Sequence, residues 1–442
     1  MTTLFETCLK LTGYDINLAS NELKRIQSLP LEEFRKWQDE KKWWIAKHHY
    51  DNNPFYRKKV GNYFPDKWED LPIMEKSDYQ DDLDTMLSKG YNKKNIYIAN
   101  TSGSTGNPLF FAKNKKAHAM DWALIKNRYS WHGLKLSSKQ ARFFGTPMKT
   151  TTMYQEKIKD WIMNRVRFPV FDLSAATLND NLDEFEKTRF DHIYGYTNSL
   201  VLFARFLIRN EIVLKDLCPT LTHCITTAEV LTKDDRVTLE NAFGIQVINE
   251  YGASEVGLIA FEKPNNEWLL SEEILFYETI NDMGLVSNEN EGNIVVTNFN
   301  NKAMPFIRYN IGDIGVISKN LTKNGRNKKL EHLLGRENDM IILPDNRKLP
   351  GFAIVKPFDY YLAENLSNHT GDLKEFVFRQ TNPNEFILDI IMDRDFTNNE
   401  IERIKHIIKS SLKSDVNVFI NRVKKIKREK SGKLKQFYSE LC

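Results

Sequence analysis

The chain has 442 residues, of which 41% are hydrophobic and 12% aromatic, with a formal net charge of +4. That length exceeds one ordinary core and predicts two or three domains, while the composition is globular and excludes wholesale disorder. A charge this small gives no global argument for a nucleic-acid or membrane partner. Four scattered cysteines, Cys8, Cys218, Cys224 and Cys442, make no disulfide framework, and a reducing cytoplasm is the simplest setting. The N-terminal stretch has neither a basic segment nor a long apolar core, so no signal peptide is expected. The apolar run at 200–208 is interrupted by Arg205 and falls short of the ~20 residues that span a bilayer.

Residues 1 to about 95 read as mostly helical. Leu31, Phe34, Trp37, Trp44 and Ile45 fall roughly on one helical face, with Pro30 suited to a first turn. His48 and His49 are adjacent on that helix and point apart, so they read as surface or boundary residues rather than as a metal pair. Strands at 96–99 and 109–112 flank the stretch Thr101-Ser102-Gly103-Ser104-Thr105-Gly106-Asn107-Pro108, which reads as a hairpin-like loop. Two glycines without Cβ atoms, set among hydroxyls, allow backbone N–H groups to approach a polyphosphate closely. A Walker loop would run from strand to helix through Gly-Lys-Ser/Thr, which this stretch lacks. Taken alone, it reads equally as a solvated Ser/Gly turn.

A helix over 113–130 is followed by a strand at 141–147, and residues 191–196 repeat the strand-then-glycine pattern. An apolar helix over 198–210, a strand at 222–227, a helix over 233–243 and a strand at 245–249 continue the alternation. The fold class is therefore α/β: a large N-terminal domain with largely parallel sheets, whose loops at strand ends place ligands. Strands at 267–280, 292–299 and 313–318 predict a β-rich subdomain, with a basic loop at 319–329. The last hundred or so residues read as a small α+β domain. It has strands at 375–380 and 385–392, a helix from Thr397 through Leu412 with Glu400 completing a capping box, and a strand at 415–420. A basic run at 424–435 ends the chain.

Five separated segments share one task in one order: TSGSTGNP, YGASE at 251–255, RYNIGD at 308–313, GREND at 335–339 and SGK at 431–433. Together they resemble the adenylate-forming superfamily of acyl-CoA synthetases, adenylation domains and luciferases, from about residue 54 onward. Asn53-Pro54-Phe55-Tyr56, the segment 68–76 and the segment 343–350 are similar to the phenylacetate–CoA ligase branch, including capsule-cluster relatives.

The resemblance implies carboxylate attack on the α-phosphate of ATP, giving acyl-AMP and pyrophosphate, with CoA as the expected acceptor of the acyl group. Two anions must meet, so the site needs cations and positioned donors rather than a strong base. By resemblance, Thr101, Ser102, Gly103, Ser104, Thr105 and Gly106 hold the β- and γ-phosphates. Glu255 is the Mg2+ ligand, and a hard carboxylate oxygen suits that metal. Tyr251 flanks the adenine, with Gly252, Ala253 and Ser254 beside it and Ala228 and Glu229 on the neighbouring strand end. Asp313 accepts from the ribose hydroxyls, Arg336 supports the ribose or phosphate side, and Lys433 bridges α-phosphate and carboxylate. The family's small domain rotates about a residue two places after the GR arginine, here Asn338 where an acidic residue or lysine is usual. The resemblance thus divides the chain into 1–335, binding ATP and carboxylate, and 336–442, a mobile small domain. Phe143, Phe144, Tyr194 and Tyr196 sit at strand ends that border an acyl pocket, or belong to a core.

Cys218, His223 and Cys224 lie around one strand and are too few for a tetrahedral zinc site, so no zinc is assigned. The basic run reads as a face near ATP, pyrophosphate or CoA phosphates rather than as a nucleic-acid surface. No Gly-x-Ser-x-Gly elbow supports a serine hydrolase. Two alternatives remain. The acyl group passes to an amine, sugar or carrier protein, or the chain is a catalytically silent nucleotide-binding module. A binding-only protein has no chemical need for Lys433.

Overall fold

The computed structural model describes residues 3–101, 109–145, 150–170, 175–281, 291–321, 326–336, 340–365, 373–392, 394–426 and 435–441. Two compact units divide the chain. The first comprises Met1–Thr101, Pro108–Ile311 and Gly315–Leu333, and the second is chiefly Leu334–Cys442 with Gly312–Ile314.

The first unit opens with helices Leu4–Leu11, Ile16–Ser28, Leu31–Asn52, Pro54–Val60 and Leu83–Met86. Asn53 both ends the third helix and caps the fourth: its side chain accepts from the Tyr56 N–H, and Pro54 occupies the first turn. Phe34 and Ile45 are buried as the sequence face predicts, whereas Leu31 and Trp44 are exposed. The surface or boundary reading of His49 is wrong. Its ring is fully buried, bonded to Ser88 Oγ at 3.1 Å and to the Asn301 carbonyl at 2.8 Å. That second partner lies in a distant strand connection, beyond the reach of local periodicity.

Strands β1 (Ile96–Asn100) and β2 (Phe110–Asn114) pair antiparallel, so the expected hairpin brackets residues 102–108. Next come β3 (Gln140–Phe143), β4 (Arg165–Phe168), β5 (His192–Tyr196), β6 (His223–Thr227) and β7 (Gln246–Ala253). They pair in parallel in the order β4-β3-β5-β6-β7. Helices Thr150–Ile162, Ala175–Lys187, Thr197–Arg209 and Lys233–Phe243 connect them; the first two, and β4, were not anticipated from the sequence. Gly195 on β5 is required by close approach, since a Cβ there would stand 2.6 Å from Phe143 Cβ.

Beyond β7 the sheet continues through β8 (Gly257–Glu262), β9 (Trp268–Leu270), β10 (Leu275–Ile280), β11 (Gly292–Asn298), β12 (Tyr309–Leu321) and β13 (Lys328–Arg336), with antiparallel pairing of β7 with β8, β8 with β9, β9 with β13 and β10 with β11. The full order is β10-β11-β12-β13-β9-β8-β7-β6-β5-β3-β4, which makes the β-rich region an extension of the parallel sheet.

The second unit holds a small hairpin, β14 (Met340–Ile342) and β15 (Lys348–Pro350), and a helix Phe352–Asn365. A four-stranded sheet follows, of β16 (Leu373–Asn382), β17 (Glu385–Met392), β18 (Asn417–Arg422) and β19 (Phe437–Ser439), ordered β18-β17-β16-β19. Helix Asn398–Leu412 starts on the capping box read from the sequence, with Thr397 and Glu400 bonded reciprocally. Ile404, Ile408 and Leu412 are its fully buried stripe. Among the described residues no helix is long and apolar enough to cross a membrane.

Candidate active site

The parallel strands deliver their carboxyl ends together, the edge at which open α/β sheets bind ligands. In register, Phe143 pairs with Gly195, Tyr196 with Thr227 and Thr226 with Asn249. Phe144, Tyr196, Ala228 and Glu250 therefore lie along one edge of the parallel pairing. Ala228 turns away with φ +70°, a left-handed conformation that costs a non-glycine residue energy. The Glu229 carboxylate accepts the Asn198 N–H at 2.7 Å, and its carbonyl accepts the Thr197 hydroxyl at 3.1 Å. It thereby satisfies free donors at the start of helix Thr197–Arg209, whose N-terminal dipole favours an anion.

The four candidate acyl-pocket residues separate. Phe143 belongs to the core: it is fully buried and stacks on Phe168 at 4.7 Å and on Phe203 at 5.4 Å. Phe144 lies on the other side, stacked on Tyr194 at 5.2 Å and tilted against Tyr196 at 4.3 Å. The Arg142 guanidinium sits over the Phe144 ring at 4.0 Å and over the Tyr194 ring at 5.0 Å. The Tyr194 hydroxyl donates to Glu250 Oε1 at 2.7 Å. Desolvation pushes the Glu250 carboxyl up to about 7, against hydrogen bonds from Tyr194 and Thr227 and the nearby charge of Arg142. Burial likewise pulls Arg142 down to about 10. Sequence reasoning missed Glu250 and Arg142. The available clue was an acidic residue inside a strand after Val247 and Ile248, directly before Tyr251.

Strand β7 runs through Tyr251, Gly252 and Ala253 and turns tightly into β8. A Cβ on Gly252 would stand 3.0 Å from the Gly257 carbonyl, so the close return of the chain favours glycine. Tyr251 is buried with its ring 6.1 Å from Trp268; Gly252 and Ser254 are exposed and Ala253 is half-buried. Glu255 is buried, and its Oε1 accepts the Tyr309 hydroxyl at 3.0 Å.

Arg308, first residue of the RYNIGD segment, is fully enclosed rather than aimed at solvent. Its guanidinium pairs with Glu278 at 3.1 Å and donates to the carbonyls of Glu69 and Leu71, each at 2.7 Å. Trp68 Nε1 donates to the same carboxylate at 3.0 Å. Met74 then exchanges backbone bonds with Arg308 and Asn310, so the segment 68–76 is anchored by this strand. In the second unit, Arg336 Nε lies 3.5 Å from Asp313 Oδ1, with Arg336 45% and Asp313 10% exposed at the side chain.

Thr101 closes the hairpin, its N–H bonded to the Leu109 carbonyl and its hydroxyl accepting from the Leu109 N–H. Ser102, Gly103, Ser104, Thr105, Gly106, Asn338 and Lys433 lie outside the described residues. Cys224 is fully buried, and burial raises its thiol; Cys218 is bonded to the backbone of Phe190.

The architecture matches 2-hydroxyisobutyryl-CoA ligase in the postadenylation state in complex with R3-HIB-AMP, with a TM-score of 0.68 and 16% identity over 94% of this chain and 92% of that one. It also matches the amide bond synthetase McbA from Marinactinospora thermotolerans, with a TM-score of 0.51 and 15% identity over 79% and 69% of the two chains. The fold is that of the adenylate-forming ligases. In sequence the chain is 22% identical over 256 residues to indoleacetate–lysine synthetase of Pseudomonas savastanoi. That match covers 56% of this chain and 60% of the relative's length. Residues 360–440, within the second unit, match the CapK C-terminal domain.

Proposed function

We propose that the chain is an ATP-dependent carboxylate-activating ligase. The carboxylate oxygen attacks the α-phosphorus of ATP, the bond to the bridging oxygen breaks, and acyl-AMP and pyrophosphate result. The observation that carries this reading is the buried Glu255 carboxylate, held by Tyr309 at the turn after β7 in an adenylate-forming ligase fold. Glu255 offers one hard oxygen ligand, the donor type that magnesium takes together with phosphate and water. Bound there, magnesium would supply charge neutralisation for the triphosphate.

Residues 101–106 cradle the β- and γ-phosphates, and Tyr251, with Gly252, Ala253 and Ser254, flanks the adenine opposite Ala228 and Glu229. Asp313, oriented by Arg336, accepts from the ribose hydroxyls. Lys433 neutralises charge between carboxylate and α-phosphate, an effect worth ~3–4 kcal/mol where a comparable donor is removed. On this reading 1–335 binds ATP and acid, and 336–442 moves about Asn338. Phe144, Tyr194 and Tyr196 border the acyl group; Phe143 supports them from the core.

In the second step a nucleophile attacks the acyl carbonyl and AMP leaves. A CoA thiol is the first acceptor to test. An amine is the second, favoured by the likeness to proteins named indoleacetate–lysine synthetase and amide bond synthetase. A sugar or carrier-protein thiol is the third, suggested by the sequence resemblance to capsule-cluster relatives. The test is ATP–pyrophosphate exchange across aryl, fatty, hydroxy, amino and uronic acids, then product mass spectrometry with CoA or lysine as acceptor. Exchange with one class, abolished in Lys433→Ala with ATP binding kept, supports the reading. Silence together with no magnesium–ATP binding by calorimetry sinks it and favours a silent binding module.

A further inference from the structure

Glu250 has a chemistry that adenylation does not use. It lies in β7 just past the last residue paired in parallel with β6, where Tyr194 from β5 and Thr227 from β6 both give it hydrogen bonds. A carboxylate offers about four acceptor positions, so among the described residues these two bonds leave it underfilled. Arg142 is the obvious counter-ion, yet among the described residues no ion pair closes between them. Its guanidinium instead lies over the Phe144 and Tyr194 rings and donates to Gln140 at 3.2 Å. Among the described residues the Arg142 Nε–H is buried without a hydrogen-bond partner.

One cluster thus holds an underfilled acceptor and an unfilled donor, walled by the aromatic faces of Phe144 and Tyr196. Structural roles saturate such groups, because each one left unmet in a desolvated place costs stability. A ligand hydroxyl serves both needs, giving its proton to Glu250 and accepting from a neighbouring N–H. A ligand cation serves them less well, since Arg142 already supplies positive charge beside the carboxylate.

We propose that Glu250, with Tyr194 and Arg142, is the specificity-determining wall of the acyl pocket and selects acids bearing a hydroxyl on an aromatic or apolar body. This rests on the carboxylate-activating reading for its location, but the recognition is read by binding rather than by turnover.

The experiment is calorimetry on the full chain with benzoate and phenylacetate against their 2-, 3- and 4-hydroxy isomers, in Glu250→Leu, Glu250→Gln and wild-type protein. One hydroxy isomer should bind at least about tenfold tighter than its parent, the scale of a hydrogen bond to a charged group. That ratio should collapse in Glu250→Leu and persist in part in Glu250→Gln, which keeps an acceptor oxygen. Should Glu250→Leu fail to fold, Glu250→Gln and Tyr194→Phe carry the comparison. Equal binding of parent and hydroxy acids, an unchanged ratio in the variants, or no binding of any acid overturns the proposal. Pyrophosphate exchange and magnesium–ATP calorimetry run beside it separate the two readings: discrimination in acid binding with neither exchange nor magnesium–ATP binding defeats adenylation and leaves this inference standing.

Discussion

The Tyr309 hydroxyl donates to Glu255 Oε1 across 3.0 Å, and both side chains are closed off from solvent. The tyrosine sits on β12 and the carboxylate at the β7–β8 turn, so one hydrogen bond fixes a charged group between distant chain segments. The Tyr309 ring also packs against Tyr79 at 5.5 Å and Phe306 at 5.2 Å, which means Tyr309→Phe keeps the packing and removes the hydroxyl. A hydrogen bond to a charged group contributes about 1.5–3 kcal/mol. On the adenylation reading, Tyr309→Phe should lower pyrophosphate exchange by about tenfold or more and raise the magnesium concentration needed, with Tm lowered by only a few degrees because the packing is kept. Exchange at wild-type rate and magnesium dependence would show that the hydroxyl does not position Glu255.

Arg308 and Glu278 should behave differently, as structure rather than chemistry. Both are buried, and the guanidinium also holds the carbonyls of Glu69 and Leu71. Removing one partner of a buried pair leaves an uncompensated charge and costs about 3–5 kcal/mol. Glu278→Ala should therefore lower the urea midpoint sharply. It also removes the acceptor for Trp68 Nε1, so the indole should become more exposed to a fluorescence quencher. A midpoint within the error of wild type would refute the role.

How much of this was legible beforehand varied with how local the cause is. The capping box of Thr397 and Glu400 is a four-residue device, and the structure has it. The hairpin around residues 102–108 and strands β5 to β7 follow from short apolar runs bounded by turns. Strand β4 was missed because Arg165 and Arg167 make it look like a polar loop. Those charges are instead paired with Asp160 and Glu156 on the preceding helix. Burial of His49 and the enclosure of Arg308 depend on partners more than 200 residues away, which no periodicity reports. Glu250 was hidden for the converse reason: a strand reading expects apolar residues and passes over the one charge.

Gly195 gives a packing test. Its backbone conformation is open to any residue, so the constraint is space alone: a Cβ would lie 2.6 Å from Phe143 Cβ and 3.0 Å from the Phe143 carbonyl oxygen. Phe143 cannot yield freely, because Phe168 stacks on it at 4.7 Å and Phe203 at 5.4 Å. Overpacking of this kind costs about 1–3 kcal/mol. Gly195→Ala should lose that much in urea unfolding and, by tilting Phe143, disturb Phe144 and weaken acid binding. An alanine accepted at no cost would mean that β3 and β5 can separate there.

Acid should destabilise the protein in two windows, and the histidines open the first. Burial holds His49 and His192 down at about 3, from an ordinary value of 6.5, and both rings are closed to solvent. The unfolded chain takes up their protons as pH falls through 6.5, while the folded protein does not do so until about 3. Between those values the unfolded state binds more protons, so the stabilisation present above pH 6.5 is lost progressively as pH falls. Each fully buried ring contributes a slope approaching ~1.4 kcal/mol per pH unit. Glu400 opens the second window. The Arg394 hydrogen bond, then the capping bonds from Thr397, outweigh burial and hold it at about 2 rather than 4.5, so its contribution is lost only between those two values. His49→Gln can keep hydrogen bonds to Ser88 and the Asn301 carbonyl without titrating. It should flatten the decline in urea stability between pH 6.5 and 5 and leave the loss below pH 4.5 unchanged. A variant that tracks wild type across the upper window would show that His49 titrates near its ordinary value in the folded protein.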